Sequence, residues 1–517
     1  MPRSLFSSLR RRFGTPSSGA ERREQVHTLY QAVKDQVETF HAEGYKLESS
    51  IPGARPQVLI IGAGFAGLSA GYHLAQKGLQ PTILESRDRV GGRVHSLRNL
   101  ANGQTIEGGA ELIGTNHQLW MKLAIRFGLS FDAVTSDDLF NGAGLHEPFT
   151  INGQDISSED AKKLHDWMDH LTDGLIELSH PIDYRCPWLS PNAGALDKTS
   201  LADWLDNAIH DLRLRTPNST LLRKALELEF GNNNGVPTNR QSLLAFLAMI
   251  KGGGGKKYWD MSEVFRCGEG NDALAGALQK SITDSGGSVL LNTAVTEIDI
   301  QPAGVTVRAI TPAGTMQEYK ADAIVLAIPP SVWDKIRMDP QIAAVHASQM
   351  GVAVKQLTVL DSRFWVKLSK APTGSIDQIG MLWEGTDNQS LDSGKQIELT
   401  VFAGGETASH LLQMADPVRE AFYADQLDGF YKSEFTAHKK ISKFMSWPTE
   451  AWTMAGYSFP NVGEVCTKIR ALNAVYNHRL VFAGEHTCLA FVGYMEGALQ
   501  SGLHAAMKVN RMSFKDY

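Results

Sequence analysis

Nowhere in the 517 residues is there an apolar run of the ~18 residues needed to cross a bilayer as a helix. Cysteine is scarce. Cys186, Cys267, Cys466 and Cys488 stand far apart, with no CxxC pair. That excludes a clustered-thiolate zinc site and a disulfide framework, and no other metal site is indicated. Free thiols in a reducing compartment are the simplest account. Neither sign of charge dominates: the net charge is −6 and the pI is near 6.3. Nothing here calls for nucleic acid or a membrane surface as partner. With 43% hydrophobic and 21% charged residues, the composition is that of an ordinary globular protein. The length is too great for one core and suggests about three domain-sized units. The opening MPRSLFSSLRRRFGTPSSG is basic and serine-rich, without acids. That composition could suit an organellar transit peptide. Its shortness and its lack of an apolar core segment favour a flexible basic arm on a cytoplasmic protein.

What is present is concentrated in Val58–Gly92, VLIIGAGFAGLSAGYHLAQKGLQPTILESRDRVGG. Val58-Leu59-Ile60-Ile61 is short and apolar, as a buried strand should be. Gly62, Gly64 and Gly67 follow as G-x-G-x-x-G, then a helical stretch with Leu68, Tyr72, Leu74 and Ala75 on its apolar side, then a second strand ending at Glu85. Gly62 suits a tight turn, Gly64 a close approach of pyrophosphate, and Gly67 close packing of helix on sheet. The helix N-terminus offers free N–H groups to phosphate. Glu85 lies near the ~20-residue spacing at which an acid meets a ribose. Beyond it, Gly91-Gly92-Arg93 allows close backbone approach and adds a forked cation for a pyrophosphate. By itself this stretch does not say which dinucleotide binds.

The rest of the chain reads as follows. Glu21–Glu43 carries apolar residues at helical spacing and is expected to be an amphipathic helix. Glu107–Gly114 (EGGAELIG) is a glycine-rich turn expected to line a ligand. Residues 116–249 read mostly helical, for instance Ala161–Leu178 and Ser219–Leu228, like a cap or substrate domain. FGNNNGVPTNRQS (Phe230–Ser242) is expected to break the helices, and KGGGGKK (Lys251–Lys257) to be a flexible loop. Strand signals return at Ser288–Leu291, Val295–Ile300, Val305–Ile310 and Ala323–Ile328. They appear again at Gln356–Leu360 and Ile397–Phe402, where an antiparallel sheet is expected. Arg479–Met507 reads as strand, glycine-rich turn and helix.

Taken together, these motifs resemble the flavin monoamine oxidase family, which includes amine, polyamine and L-amino-acid oxidases. The likeness runs from about Gln57 to the C-terminus. Its most specific parts are the opening fingerprint with Glu85 and Arg93, and Phe482-Ala483-Gly484-Glu485 with Gly493-Tyr494-Met495-Glu496-Gly497. The resemblance implies an α/β fold: a Rossmann-type FAD-binding domain interleaved with an α+β substrate-binding domain and a helical subdomain. The expected division is 1–54 (arm and helix), 55–115, 261–345 and 451–517 (FAD-binding), 116–260 (helical and substrate) and 346–450 (substrate-binding). It also implies FAD, bound by Gly62, Gly64, Ala66, Gly67, Glu85, Ser86, Arg87, Gly92, Arg93, Gly109, Ala110, Glu111, Leu112, Val295, Gly484, Glu485, Gly493, Tyr494 and Met495. Val295 would clasp the adenine end through its backbone, and Glu485 would contact the flavin side. Some relatives attach the flavin to a cysteine where this chain has Gly456, so binding should be non-covalent.

For the chemistry, the resemblance places Lys355, in VAVKQLTVLDSRFW, beside a water near flavin N5. Tyr457 and Tyr494 would form an aromatic cage for the amine. With Glu111, Trp383 and Gly493 they make up the expected substrate site. EFGNNNGVPTNRQS and EVFRCGEGND are most similar to bacterial-type L-amino-acid oxidases. The expectation is therefore oxidative deamination of L-amino acids to 2-oxo acids, ammonia and hydrogen peroxide. One position departs from the pattern: Glu111 stands where animal and venom-type amino-acid oxidases carry the carboxylate-binding arginine. Either Arg240 or Arg266 takes that role, or the substrate lacks a carboxylate, or Glu111 meets a cationic side chain. The alternatives are an amine or polyamine oxidase, an amino-acid monooxygenase giving an amide, and a non-catalytic relative such as the prenyl-GTPase escort proteins. The intact cofactor motifs argue against the last. The expected partners are a small amine or amino acid and molecular oxygen, with homo-oligomerisation left open.

Overall fold

A computed structural model describes residues 56–134, 144–342, 348–387, 389 and 396–512, with Leu5, Phe6, Leu9, Phe13, Thr28 and Gln31. Most of the expected Glu21–Glu43 helix lies outside the described residues. The arm at its start is not free where it is described: Leu5, Phe6 and Leu9 are buried in the main core. The Phe6 N–H donates to the Glu229 carboxylate at 3.0 Å, because apolar side chains in a basic stretch gain more from burial than from water.

The opening motif sits at the centre of a six-stranded sheet. Its order is Val475–Tyr476, Leu480–Phe482, Ala323–Leu326, Val58–Ile61, Thr82–Leu84, Ser288–Leu290. Every neighbouring pair is parallel except the first. Val58–Ile61 is buried throughout, as a strand covered on both faces must be. The helix after it, Phe65–Ala75, was expected to be apolar on one side. Instead all its residues but His73 are buried. The final helix, Met495–Asn510, lies against it. The Ser69 hydroxyl donates to the Leu499 carbonyl at 2.7 Å. A Cβ on Gly502 would stand 2.2 Å from the Ala66 carbonyl oxygen. The two ends of the sequence are thereby joined in one layer.

The expected antiparallel sheet has seven strands, with one parallel pair, Gly374–Ile376 on Phe149–Ile151. Its order is Lys439–Ser446, Ala353–Leu360, Ile397–Gly404, Gly380–Glu384, Gly374–Ile376, Phe149–Ile151, Gln154–Asp155. Lys355 pairs with Phe402 on one side and Met445 on the other. Phe149–Ile151 comes from the stretch read as helical, because a three-residue strand is too short to show a period. A smaller four-stranded sheet holds Ala294–Gln301, with a bulge between Val295 and Glu297.

Two loop expectations are corrected. The helix starting at Thr216 does not break at Phe230 but runs to Asn234 and stops at Gly235, which takes the left-handed conformation of a C-cap. Its run of three asparagines is held by packing despite low intrinsic propensity. Lys251–Lys257 is not a loop of free chain. Leu243–Gly252 and Lys256–Met261 are helices separated by a tight turn, and a Cβ on Gly252 would meet Ala490 at 2.6 Å.

Candidate active site

At the C-terminal end of Val58–Ile61 the chain opens into a cavity that runs between the six- and seven-stranded sheets. Gly62, Gly64, Ala66, Glu85, Ser86, Arg87, Gly92 and Arg93 line one part. Gly109, Ala110, Glu111, Leu112, Lys355, Trp383, Tyr457, Gly484, Glu485, Gly493, Tyr494 and Met495 line the rest. Two expected residues lie off this wall. Gly67 sits behind the turn, where a Cβ would be 1.9 Å from the Gly62 carbonyl oxygen. Val295 lines a smaller cavity beside it with Ser86, Thr293, Lys335 and Trp452.

The residues present fit a dinucleotide. A Cβ on Gly64 would meet nothing within 4 Å, so the helix N-terminus is open toward the cavity. His486 is only 1% exposed and lines the cavity, yet neither ring nitrogen has a hydrogen-bond partner among the described residues. Burial lowers its pKa to about 4, so it offers a neutral imidazole to a ligand. Glu85 accepts from the Ala63 and Arg87 N–H groups at 2.7 and 2.9 Å. That leaves part of its four-site acceptor capacity for a ribose.

Glu485 lines the cavity and is fully engaged by protein donors. One oxygen accepts from Arg93 at 2.9 Å and the Ser458 N–H at 3.2 Å. The other accepts from the Ser458 hydroxyl at 2.5 Å and the Gly493 N–H at 2.8 Å. Four donors fill the carboxylate. Although buried, it keeps a lowered pKa because Arg93 and these donors outweigh the cost of desolvation. Glu485 therefore braces the wall, tying Arg93 and Ser458 to the turn before the final helix.

Tyr457 and Tyr494 line the same cavity. The Tyr457 hydroxyl donates to the Asn233 carbonyl at 2.7 Å, and a Cβ on Gly493 would stand 3.2 Å from its ring. Tyr494 packs on His117, with ring centroids 5.3 Å apart. Burial raises both phenols well above their ordinary range, so both remain neutral.

Glu111 and Arg266 are also placed differently. Glu111 accepts from Arg266 Nε at 2.8 Å and Trp383 Nε1 at 2.9 Å on one oxygen, and from Lys355 Nζ at 2.8 Å on the other. It does not await a cationic substrate. Arg266 is held by Glu111, Asp387 and the Glu384 carbonyl. Burial opposes its charge, and the Asp387 and Glu111 carboxylates more than restore it. It does not line the cavity. Arg240 is exposed and also lies away from it. Neither is a carboxylate clamp.

Sequence reasoning missed several lining residues: Asn233, Asn234, Glu263, Met381, Phe402, Trp447, Trp452 and His486. Asn233, Asn234, Glu263 and His486 lay in segments that stood out, and Phe402 ended an expected strand. Phe402 and Met381 are strand residues like any others until the sheet register turns them inward.

A largely parallel sheet whose strand ends meet this cavity, closed by a second sheet carrying aromatic residues and a lysine, is the arrangement of a nucleotide-binding α/β fold. The family model for flavin-containing amine oxidoreductases matches residues 65–510, and the chain belongs to that family. FAD is accordingly its cofactor. Binding is non-covalent, in keeping with the family and with the absence of any cysteine from the described cavity wall. Among relatives, a flavin-containing amine oxidase of Oncorhynchus mykiss is 25% identical over 464 residues, covering 87% of this chain and 85% of the relative. A probable flavin-containing monoamine oxidase A of Dictyostelium discoideum is 24% identical, covering 87% and 97%. The fold matches putrescine oxidase bound to putrescine at a TM-score of 0.71 and 20% identity, covering 89% of this chain and 100% of that one. These names give no support to the expectation of an L-amino-acid substrate.

Proposed function

We propose that this protein oxidises an amine that carries no α-carboxylate, giving an imine that hydrolyses to a carbonyl compound and ammonia, with hydrogen peroxide as the second product. The observation behind this reading is the state of the arginines and lysines on the described cavity wall: Arg87, Arg93 and Lys355. Arg93 donates to Glu485 and the Gly456 carbonyl, Lys355 to Glu111 and the Glu107 carbonyl, and Arg87 to Thr453. A substrate carboxylate placed there would be desolvated without a cation of its own.

The cradle of Gly64, Glu85 and Arg93 would hold FAD, which when bound would supply the two-electron oxidation of the amine carbon with oxygen as the final acceptor. The chain's residues do the rest. Tyr457 and Tyr494 offer apolar faces that hold the amine and exclude water, which favours its neutral form. Phe402, Met381 and Trp383 continue the apolar wall. Lys355 sets a fixed cation on the side of the seven-stranded sheet.

The test is anaerobic flavin bleaching and peroxide release with a panel of primary amines, diamines and L-amino acids. Amines are expected to exceed the matching L-amino acids in kcat/KM by about 100-fold or more, the cost of an unpaired buried charge. Equal or faster reduction by any L-amino acid overturns the reading.

A further inference from the structure

Glu111, set out from the sequence as a possible contact of substrate or flavin, is connected on the opposite side. Lys355 lies within Ala353–Leu360, whose backbone is paired on both edges. The strand fixes its Cα but not the end of a flexible four-carbon stem. Three contacts place the ammonium: the Glu107 carbonyl at 3.0 Å, Glu111 Oε2 at 2.8 Å and the Trp383 ring, whose centroid is 5.6 Å away. Two of its three N–H donors are thus taken up within the wall of the cavity that Lys355 lines.

Besides Lys355 and Trp383, which line the cavity, Glu111 is held by a group that does not touch it. Arg266 engages its other oxygen and is gripped by Asp387 and the Glu384 carbonyl. The Glu384 carboxylate is held in turn by Arg363 through two nitrogens at 2.6 to 3.0 Å. The chain carries three cations, Lys355, Arg266 and Arg363, and three carboxylates, Glu111, Asp387 and Glu384. Two further buried carboxyls, Glu107 and Glu398, stand beside it. Breaking such a pair inside the protein leaves a charge that nothing compensates.

We infer that Glu111 is a positioning residue for the reaction: through the Arg266–Glu111–Lys355 chain it fixes where the Lys355 ammonium stands and balances its charge beside the flavin. The inference rests on the functional reading above, since that reading fills with FAD and substrate the cavity that Lys355 lines. Glu111 touches neither substrate nor flavin in this role and acts through Lys355 alone.

The test uses FAD-loaded wild type, Glu111→Gln, Lys355→Met and the double variant. The flavin is reduced by light under nitrogen, so no substrate is needed, and is then mixed with oxygenated buffer. Reoxidation is followed by flavin absorbance, and midpoint potentials are measured against redox dyes. Lys355→Met is expected to slow reoxidation at least tenfold and Glu111→Gln severalfold, with the double variant no slower than Lys355→Met. Removing the carboxylate should move the midpoint potential positive, and removing the ammonium should move it negative. The inference is overturned if Glu111→Gln reoxidises within twofold of wild type, if its effect persists in full without Lys355, or if the two potentials shift the same way. Should Glu111→Gln fail to fold or hold FAD, Trp383→Phe takes its place. It removes one donor to Glu111, and its smaller slowing must vanish in the Lys355→Met background. The functional reading fails separately, when no amine reduces a flavin that light still reduces.

Discussion

Carboxylates at this site take their roles from the donors around them. Glu485 is filled by four donors and becomes a brace, while Glu85 keeps capacity to spare. Glu85 was legible in the sequence as an acid at the right distance from a glycine motif, and Glu485 through the resemblance to a family. Their partners were not, because Arg93, Ser458 and Gly493 approach Glu485 only after folding. Glu398 is the third case. Fully buried and accepting from Thr400, its carboxyl is pushed up to about 8 by burial, with nearby Glu111 adding to the shift. An unfolded glutamate titrates near ~4.3. Between the two values the folded protein retains a proton that the unfolded chain has released. The stabilising contribution is therefore complete below the unfolded value and is lost as pH rises through the folded one. Glu398→Gln keeps the acceptor and removes the titration. From pH 5 to pH 8 the wild type should lose stability relative to this variant by on the order of 3 kcal/mol, read from urea unfolding at each pH. Parallel pH curves for the two proteins would refute the assignment.

The helices Phe65–Ala75 and Met495–Asn510 separate cofactor binding from folding, and two glycines expose the difference. At Gly64 a methyl group meets nothing within 4 Å and the φ of −71° suits any residue. Gly64→Ala should leave the apo-protein within about 0.5 kcal/mol of wild type. Its FAD dissociation constant should rise at least tenfold by equilibrium dialysis, since the methyl group occupies the approach of the pyrophosphate. At Gly502 the same methyl group meets backbone 2.2 Å away. Gly502→Ala should destabilise the apo-protein by about 1 to 3 kcal/mol in thermal unfolding. Elements with a strong period or a signature were readable: the first strand, its helix, and the helix found at Ser158–Ser179. Phe149–Ile151 and the last turn of Thr216–Asn234 were not. Short strands carry no period, and tertiary packing overrode the weak propensity of Asn232, Asn233 and Asn234.

On the scale of the whole molecule the cofactor cavity is where many distant parts of the chain meet, so FAD is expected to act as a staple. A ligand at 100 times its dissociation constant adds about 2.7 kcal/mol to a fold it alone recognises. Titrating FAD into apo-protein should raise the melting temperature with that logarithmic dependence, and Gly64→Ala should displace the curve to higher concentration. An FAD-independent melting temperature would mean that the described cradle does not bind it. The sequence alone determined that a dinucleotide lies on the Val58–Gly92 unit, and its resemblance to a family named that dinucleotide as FAD. Such information is local: the turn, the helix start and the acid lie within one supersecondary unit, and each residue type has one physical reason to be there. Only the tertiary structure decided what surrounds the amine. Arg266 became the partner of Glu111 instead of a clamp, and Lys355 was brought to Glu111 and Trp383 by strand register. The availability of a buried charge depends on which opposite charges and hydrogen-bond partners fold against it, and these come from segments hundreds of residues away.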